Sequence, residues 1–104
     1  MALPDLILPQ ATDNVIQSAD IALVGGVAVS IPYNENVRQG DLIHLWWDTR
    51  LIAAKIIIYP EQEFPVVFLV PDEFIFIGHH SVRYDTVDYY MNFASSNIIT
   101  VTIE

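Results

Sequence analysis

The side chains able to do chemistry in this 104-residue chain are three histidines, thirteen acids and two adjacent tryptophans. His79 and His80 are neighbours in a stretch that alternates like a strand. They point to opposite faces and cannot easily chelate one metal together. A zinc site would have to combine one histidine with a distant carboxylate. Six of the acids form pairs: Glu61/Glu63, Asp72/Glu73 and Asp85/Asp88. A paired-acid hydrolase needs one acid in an apolar pocket and one solvated, at a set separation. These pairs sit at turns, where acids are mostly solvated or cap the backbone. The Asp-rich spacing of a calcium loop is absent. So are Gly-x-Ser-x-Gly, a phosphate loop and a dinucleotide fingerprint; Gly25-Gly26 stands alone. The absence of cysteine removes disulfides, thiol nucleophiles and cysteine-based metal centres. The reading is of a chain with no catalytic residues, no metal site and no cofactor.

The tryptophans lie in the stretch from Gly40 to Asp48, GDLIHLWWD. Gly40 and Asp41 are a turn signal, and the following residues alternate along a strand. Ile43, Leu45 and Trp47 share one face; Leu42, His44 and Trp46 share the other. Trp47 reads as a core plug between two sheets. Trp46 then points outward. An outward tryptophan near acids and amides could stack on a sugar ring or anchor a protein interface. Trp46 and His44 are therefore the candidate binding residues.

The remaining elements must position that strand. Residues 1–12 carry Pro4 and Pro9 around Leu6-Ile7-Leu8, which suits an extended edge strand or linker. Residues 13–24 hold a short strand or turn. Val27 to Tyr33 alternates and is closed by Pro32. Leu51 to Tyr59, LIAAKIIIY, reads as a strand from its three isoleucines and its ending at Pro60. Ile52, Ala54, Ile56 and Ile58 are expected on one face, with Ile56 and Ile58 in the core. Glu61 to Glu63 is an acidic turn. Val66 to Val70 is apolar on both faces, and Pro65 and Pro71 guard its ends. Asp72 to Ile77 reads as a turn followed by a short strand or one helical turn. Ser81 to Tyr90 alternates, Asn92 to Asn97 suits a hairpin loop, and Ile98 to Glu104 is a final strand. About seven short strands, with turn signals every 8–12 residues and no helical stretch, make the sandwich or barrel pattern.

Composition narrows the partners. Thirteen acids against four bases give a net charge of −9. A phosphate-backbone footprint needs clustered Lys and Arg, so nucleic acid is excluded, and anionic membrane surfaces are disfavoured. No stretch approaches the roughly 20 apolar residues of a membrane span. Residues 1–5 lack a basic region and an apolar core of proper length, so any export signal is expected outside this chain. The apolar residues on the outward face of Leu51–Tyr59 and Val66–Val70 (Ala53, Ile57, Val67, Leu69) call for a cover. That cover would be a neighbouring module, a second chain or residues 1–24.

The succession Gly26 to Tyr33, Arg38-Gln39-Gly40-Asp41 and Ile43, Leu45, Trp47 resembles the first half of a bacterial immunoglobulin-like repeat. Val67 to Pro71, then Gly78 with Val82-Arg83-Tyr84, and then Ser95-Ser96-Asn97 with Ile98 to Ile103 resemble its second half. The resemblance covers about residues 20–104. It implies one antiparallel immunoglobulin-like β-sandwich over 1–104, without a disulfide. Its core is Val29, Ile31, Ile43, Leu45, Trp47, Ile56, Ile58, Phe68, Val82, Tyr84, Val101 and Ile103, with Tyr84 as a tyrosine-corner residue. It implies a non-catalytic structural or interaction module of a bacterial cell-surface or secreted adhesin-like protein. The expected partners are neighbouring immunoglobulin-like modules, another protein, or a second copy through the apolar outer strands. The alternative is a carbohydrate- or ligand-binding β-sandwich whose exposed tryptophan meets a glycan. The resemblance raises no catalytic expectation.

Overall fold

The computed structural model describes residues 3–104. Eight strands run in chain order: β1 Val15–Ile16, β2 Gly26–Ile31, β3 Leu42–Trp47, β4 Arg50–Ile56, β5 Val66–Pro71, β6 Gly78–Val87, β7 Phe93–Ser95 and β8 Ile99–Ile103. The larger sheet has the order β1-β8-β6-β3-β4, with β7 paired to one end of β6. The smaller sheet is β2 paired with β5. The mostly β, two-sheet expectation holds. One pairing departs from a purely antiparallel plan: β1 runs parallel to β8, Val15 beside Thr102 and Ile16 beside Ile103. Asp13 and Asn14, both at positive φ, reverse the chain just before β1 and set that direction.

Alternation places the core as the residue types dictate. Val27, Val29 and Ile31 of β2 face Ile43, Leu45 and Trp47 of β3, Val82 and Tyr84 of β6, and Val101 and Ile103 of β8, all buried in one cluster. Leu3, Leu6 and Leu8 add the N-terminal segment to it. Phe68 is only partly buried and packs against the cluster from β5.

The expected inward face of Leu51–Tyr59 is wrong. Ile56 is 50% exposed and Ile58 also lies at the surface, whereas Ile57 is fully buried at 0%. Three consecutive isoleucines fit either parity, and the partner strand decides. Leu45 pairs with Ala53 and Ile43 with Lys55, so Ala53, Lys55 and Ile57 take the core side. The register shifts between Leu45 and Trp46, leaving Ile52 as the extra residue of a bulge that still packs on the core. Lys55 escapes burial because β4 is an edge strand, and its ammonium reaches Glu63 at 3.1 Å.

Two helices replace expected turns. Ser18–Val24 forms α1, ended by Gly25 at φ 88°, whose N–H donates to the Ile21 carbonyl. Its pattern is illegible as a helix because a single residue, Ile21, faces the core. Pro60–Glu63 forms α2, a single turn with Pro60 at its start. Asp72–Phe74 is one 3-10 turn.

Tertiary bonds tie the N-terminal segment down. The Tyr84 hydroxyl donates to the Pro4 carbonyl, so this tyrosine binds the N-terminal segment rather than a nearby corner. Burial, and secondarily the negative charge of Asp5, push the Tyr84 phenol up to about 12. Ile7 and Ser30 exchange both backbone bonds at 2.8 Å. Next to them the Gln10 side chain acts as a strand. Its Oε1 accepts from Ala28 N at 2.8 Å and its Nε2 donates to Gly26 O at 3.0 Å. The free side of β2 is thereby sealed.

Candidate functional site

The outward side of the larger sheet is where the sequence placed Trp46 and His44. Register puts them in three rows. Leu51, Trp46 and Arg83 form one; Ala54, His44, Asp85 and Ser95 form the next; Ile56, Leu42, Val87 and Phe93 form the third. Trp46 is outward and half-buried, as Trp47 is inward and buried. The two candidate residues are therefore on one face, two positions apart on β3.

Asp85 organises the first two rows. Its buried carboxylate accepts from Trp46 Nε1 at 2.8 Å, from Arg83 Nη1 at 2.5 Å and from Ser95 Oγ at 2.8 Å. The Arg83 guanidinium also lies 4.8 Å from the Trp46 ring centroid. One face of that ring is thus covered by a cation, and its N–H is already bonded. His44 sits between Ala54 and Asp85 in the register, partly exposed. No group of three metal-ligating side chains occurs among the described residues.

The two adjacent histidines part as expected. His79 is outward, bonded to Thr102 Oγ1 at 2.9 Å. His80 is buried, stacked on Trp47 with centroids 4.9 Å apart. Its ring nitrogens reach Asp48 Oδ2 at 2.8 Å and the Phe76 carbonyl at 2.6 Å. His80 is a structural clamp beside the core.

Sequence reading missed the third row and what it leads to. Ile56, Leu42, Val87 and Phe93 are four apolar side chains aligned across four strands on the side away from the core. Phe93 is 66% exposed, while Val87 is buried beneath its neighbours. The row runs into the β6–β7 hairpin, whose tip carries Tyr89, Tyr90 and Met91, with Tyr90 82% exposed. This tip is held in shape. Asp88 accepts from the backbone N–H groups of Tyr90 and Asn92, both at 2.9 Å, and from Asn92 Nδ2 at 3.0 Å. Those donors keep the Asp88 carboxyl below the usual carboxylate range, bonds from Asn92 contributing most. Met91 takes the left-handed turn position at φ 65°. Tyr89 and Tyr90 pack edge to face at 5.6 Å. The one available signal was the run Asp88-Tyr89-Tyr90-Met91-Asn92: a turn acid and amide enclosing residues too large for a casual turn.

A separate cleft of about 430 Å³ lies between Tyr33 and Tyr59. Glu35, Arg38, Gln39, Glu61 and Gln62 supply its polar lining. No family model, curated protein or solved structure matches this chain. No helix of the described residues is long and apolar enough to cross a membrane.

Proposed function

We propose that this chain is a non-catalytic interaction module, an immunoglobulin-like sandwich of the kind carried in series by bacterial surface proteins, and that it grips another protein with the outward side of its larger sheet. The observation that carries this is the aligned row Ile56–Leu42–Val87–Phe93 continuing into a rigid hairpin tipped with Tyr90 and Met91. Soluble chains rarely keep such a contiguous apolar stretch without a use for it. Aromatic and methionine side chains are enriched where proteins meet, and a pre-shaped loop loses little entropy on binding. The Arg83–Asp85–Trp46 network beside the row fixes its polar rim. Trp46 contributes as part of that rim, and His44 lies between rim and row. The acidic charge favours a partner whose facing surface is neutral or basic.

A photo-crosslinking amino acid placed at Tyr90 or Phe93, in the organism that makes the protein, tests this. Adducts with one partner are expected at both positions and not at Thr100, on the same sheet side but at β8. Absence of adducts at 90 and 93, or equal yield at 100, would overturn it. A second reading, saccharide binding, has one observation in its favour: the cleft between Tyr33 and Tyr59 combines aromatic faces with carboxylates and amides. Tyrosine chemical shifts in a glycan titration check it, and unmoved Tyr33 and Tyr59 signals would remove it.

A further inference from the structure

The two long sides of the smaller sheet are treated differently. On β2, Ser30 turns its N–H and C=O to Ile7, and Ala28 and Gly26 are bonded by the Gln10 side chain. These residues therefore face away from β5. In an antiparallel ladder, the residue opposite one that faces away also faces away. Leu69 stands opposite Ala28 and Val67 opposite Ser30. Both turn their backbone groups to the open side of β5. Among the described residues nothing bonds to those groups. Their side chains are uncovered too, Val67 at 62% and Leu69 at 45% exposure.

Parity places one more residue on that open side, and a second proline precedes the strand. Pro71 lies opposite Gly26 and alternates with Leu69 and Val67, while Pro65 sits at the bend just before the strand. Neither has an N–H to satisfy. The open side is thus Val67, Leu69 and Pro71, with Pro65 at its start, and the spacing of the four is symmetrical about Phe68.

We infer that β5 pairs with β5 of a second copy of this chain, antiparallel and centred on Phe68. In that register Val67 lies opposite Leu69 of the other copy, twice, and each such pair exchanges two bonds, about four in all. Each proline falls opposite a proline, so no N–H is stranded. A two-stranded sheet, marginal by itself, becomes four-stranded in the order β2-β5-β5-β2. The contact is isologous and closes at two copies, because the sealed side of β2 offers no further pairing. A foreign strand would fit the bonds but has no reason to match the paired prolines.

Charge opposes the pairing. Each copy carries −9, and acidic residues cap both ends of β5: Glu61 and Glu63 before it, Asp72 and Glu73 after it. Lys55 offsets Glu63 alone. The dimer is therefore weak, and it strengthens with salt. This is opposite to an association held by ion pairs. The inference is independent of the outward-face reading: variants at Phe93 or Tyr90 leave it untouched.

Sedimentation velocity over roughly 10 µM to 1 mM protein, the span in which a small interface associates, reads the mass. Mass is expected to rise from 11.8 kDa toward twice that value. The rise should come at lower concentration when salt goes from about 10 mM to about 150 mM, as the Debye length falls from roughly 30 Å to 8 Å. Amide exchange by NMR supplies the residue-level readout. Val67 and Leu69 amides should exchange freely in the dilute chain and slow in the concentrated one, while Phe68 is protected in both. Val67→Pro removes one edge-facing N–H without touching the β2 ladder and should abolish the dimer. A monomer at every concentration and salt overturns the inference. So does a dimer that Val67→Pro leaves intact, or one in which Val67 and Leu69 amides stay unprotected.

Discussion

Replacing Asp85 isolates what the outward polar network contributes. Its carboxylate accepts from Trp46, Arg83 and Ser95. A hydrogen bond to a charged group contributes about 1.5–3 kcal/mol where water is excluded. That full value does not apply three times. The Arg83 side chain is 33% exposed and rehydrates when freed. Ser95 is exposed and finds water. The Trp46 N–H is the donor least able to do so, and loses roughly 1–2 kcal/mol. Relief of the buried carboxylate's own desolvation offsets part of the rest. Asp85→Ala should then destabilise by about 2–3 kcal/mol, and Asp85→Asn, which keeps one acceptor, by about 1 kcal/mol. For a chain of this size the larger loss lowers Tm by roughly 10 °C. Urea unfolding followed by tryptophan fluorescence and far-UV dichroism gives the free energies. Trp46→Phe removes the N–H and keeps most of the ring, so the double-mutant cycle with Asp85→Asn should return a coupling near 1 kcal/mol. Coupling below about 0.3 kcal/mol, with Asp85→Ala within 0.5 kcal/mol of the parent, would refute the reasoning. The face would then be held by sheet packing alone.

Three further outcomes are expected. Gly26→Ala puts a Cβ 2.1 Å from the Val70 carbonyl oxygen, so strand β2 must move away from β5; the loss should be about 3 kcal/mol by chemical denaturation. Gln10→Ala leaves the Ala28 N–H and Gly26 C=O unbonded and should cost about 1–2 kcal/mol while raising aggregation on heating, read by light scattering, since the sealed side of β2 becomes a template. The Tyr84 phenol, pushed up to about 12, must stay neutral in the fold. Its contribution is full below its unfolded value near 10 and is lost as pH rises through its folded one, an order of 2–3 kcal/mol. Urea midpoints taken from neutral to strongly alkaline pH should show that loss in the parent chain and not in Tyr84→Phe.

What the residues disclosed beforehand, and what they withheld, follows from the range of the forces involved. Alternation in β3, β6 and β8 is a local property, so the inward Trp47, Tyr84 and Val101 and the outward Trp46 were all legible. The parting of His79 and His80 was legible for the same reason. Parity in Ile56-Ile57-Ile58 was not, because a bulge opposite Leu45 and Trp46 set it, and nothing within the run itself encodes the bulge. Helix α1 was hidden by having one buried residue. Gln10 acting as a strand and Tyr84 reaching Pro4 depend on segments brought together only by folding. The candidate site was half visible. Trp46 and His44 could be placed on their face, but the row through Ile56, Leu42, Val87 and Phe93 exists only once four strands are in register.

The parallel pairing of β1 with β8 has a mechanical meaning. Thr102 N–H donates to Asn14 O at 2.9 Å, Glu104 N–H to Ile16 O at 3.0 Å, and Ser18 N–H to Glu104 O at 2.7 Å. These three bonds lie side by side between β1, with the residues that flank it, and the last strand, behind the N-terminal segment that Pro4, Ile7 and Gln10 hold in place. A pull applied ahead of Val15 and beyond Ile103 would draw the two strands past each other along their length. All three bonds would then bear the load together instead of opening one at a time, as they do when a hairpin is unzipped from its end. Tension arriving from ahead of Leu3 would first have to free the segment held by Pro4, Ile7 and Gln10, and would then meet β1 and β8 in shear.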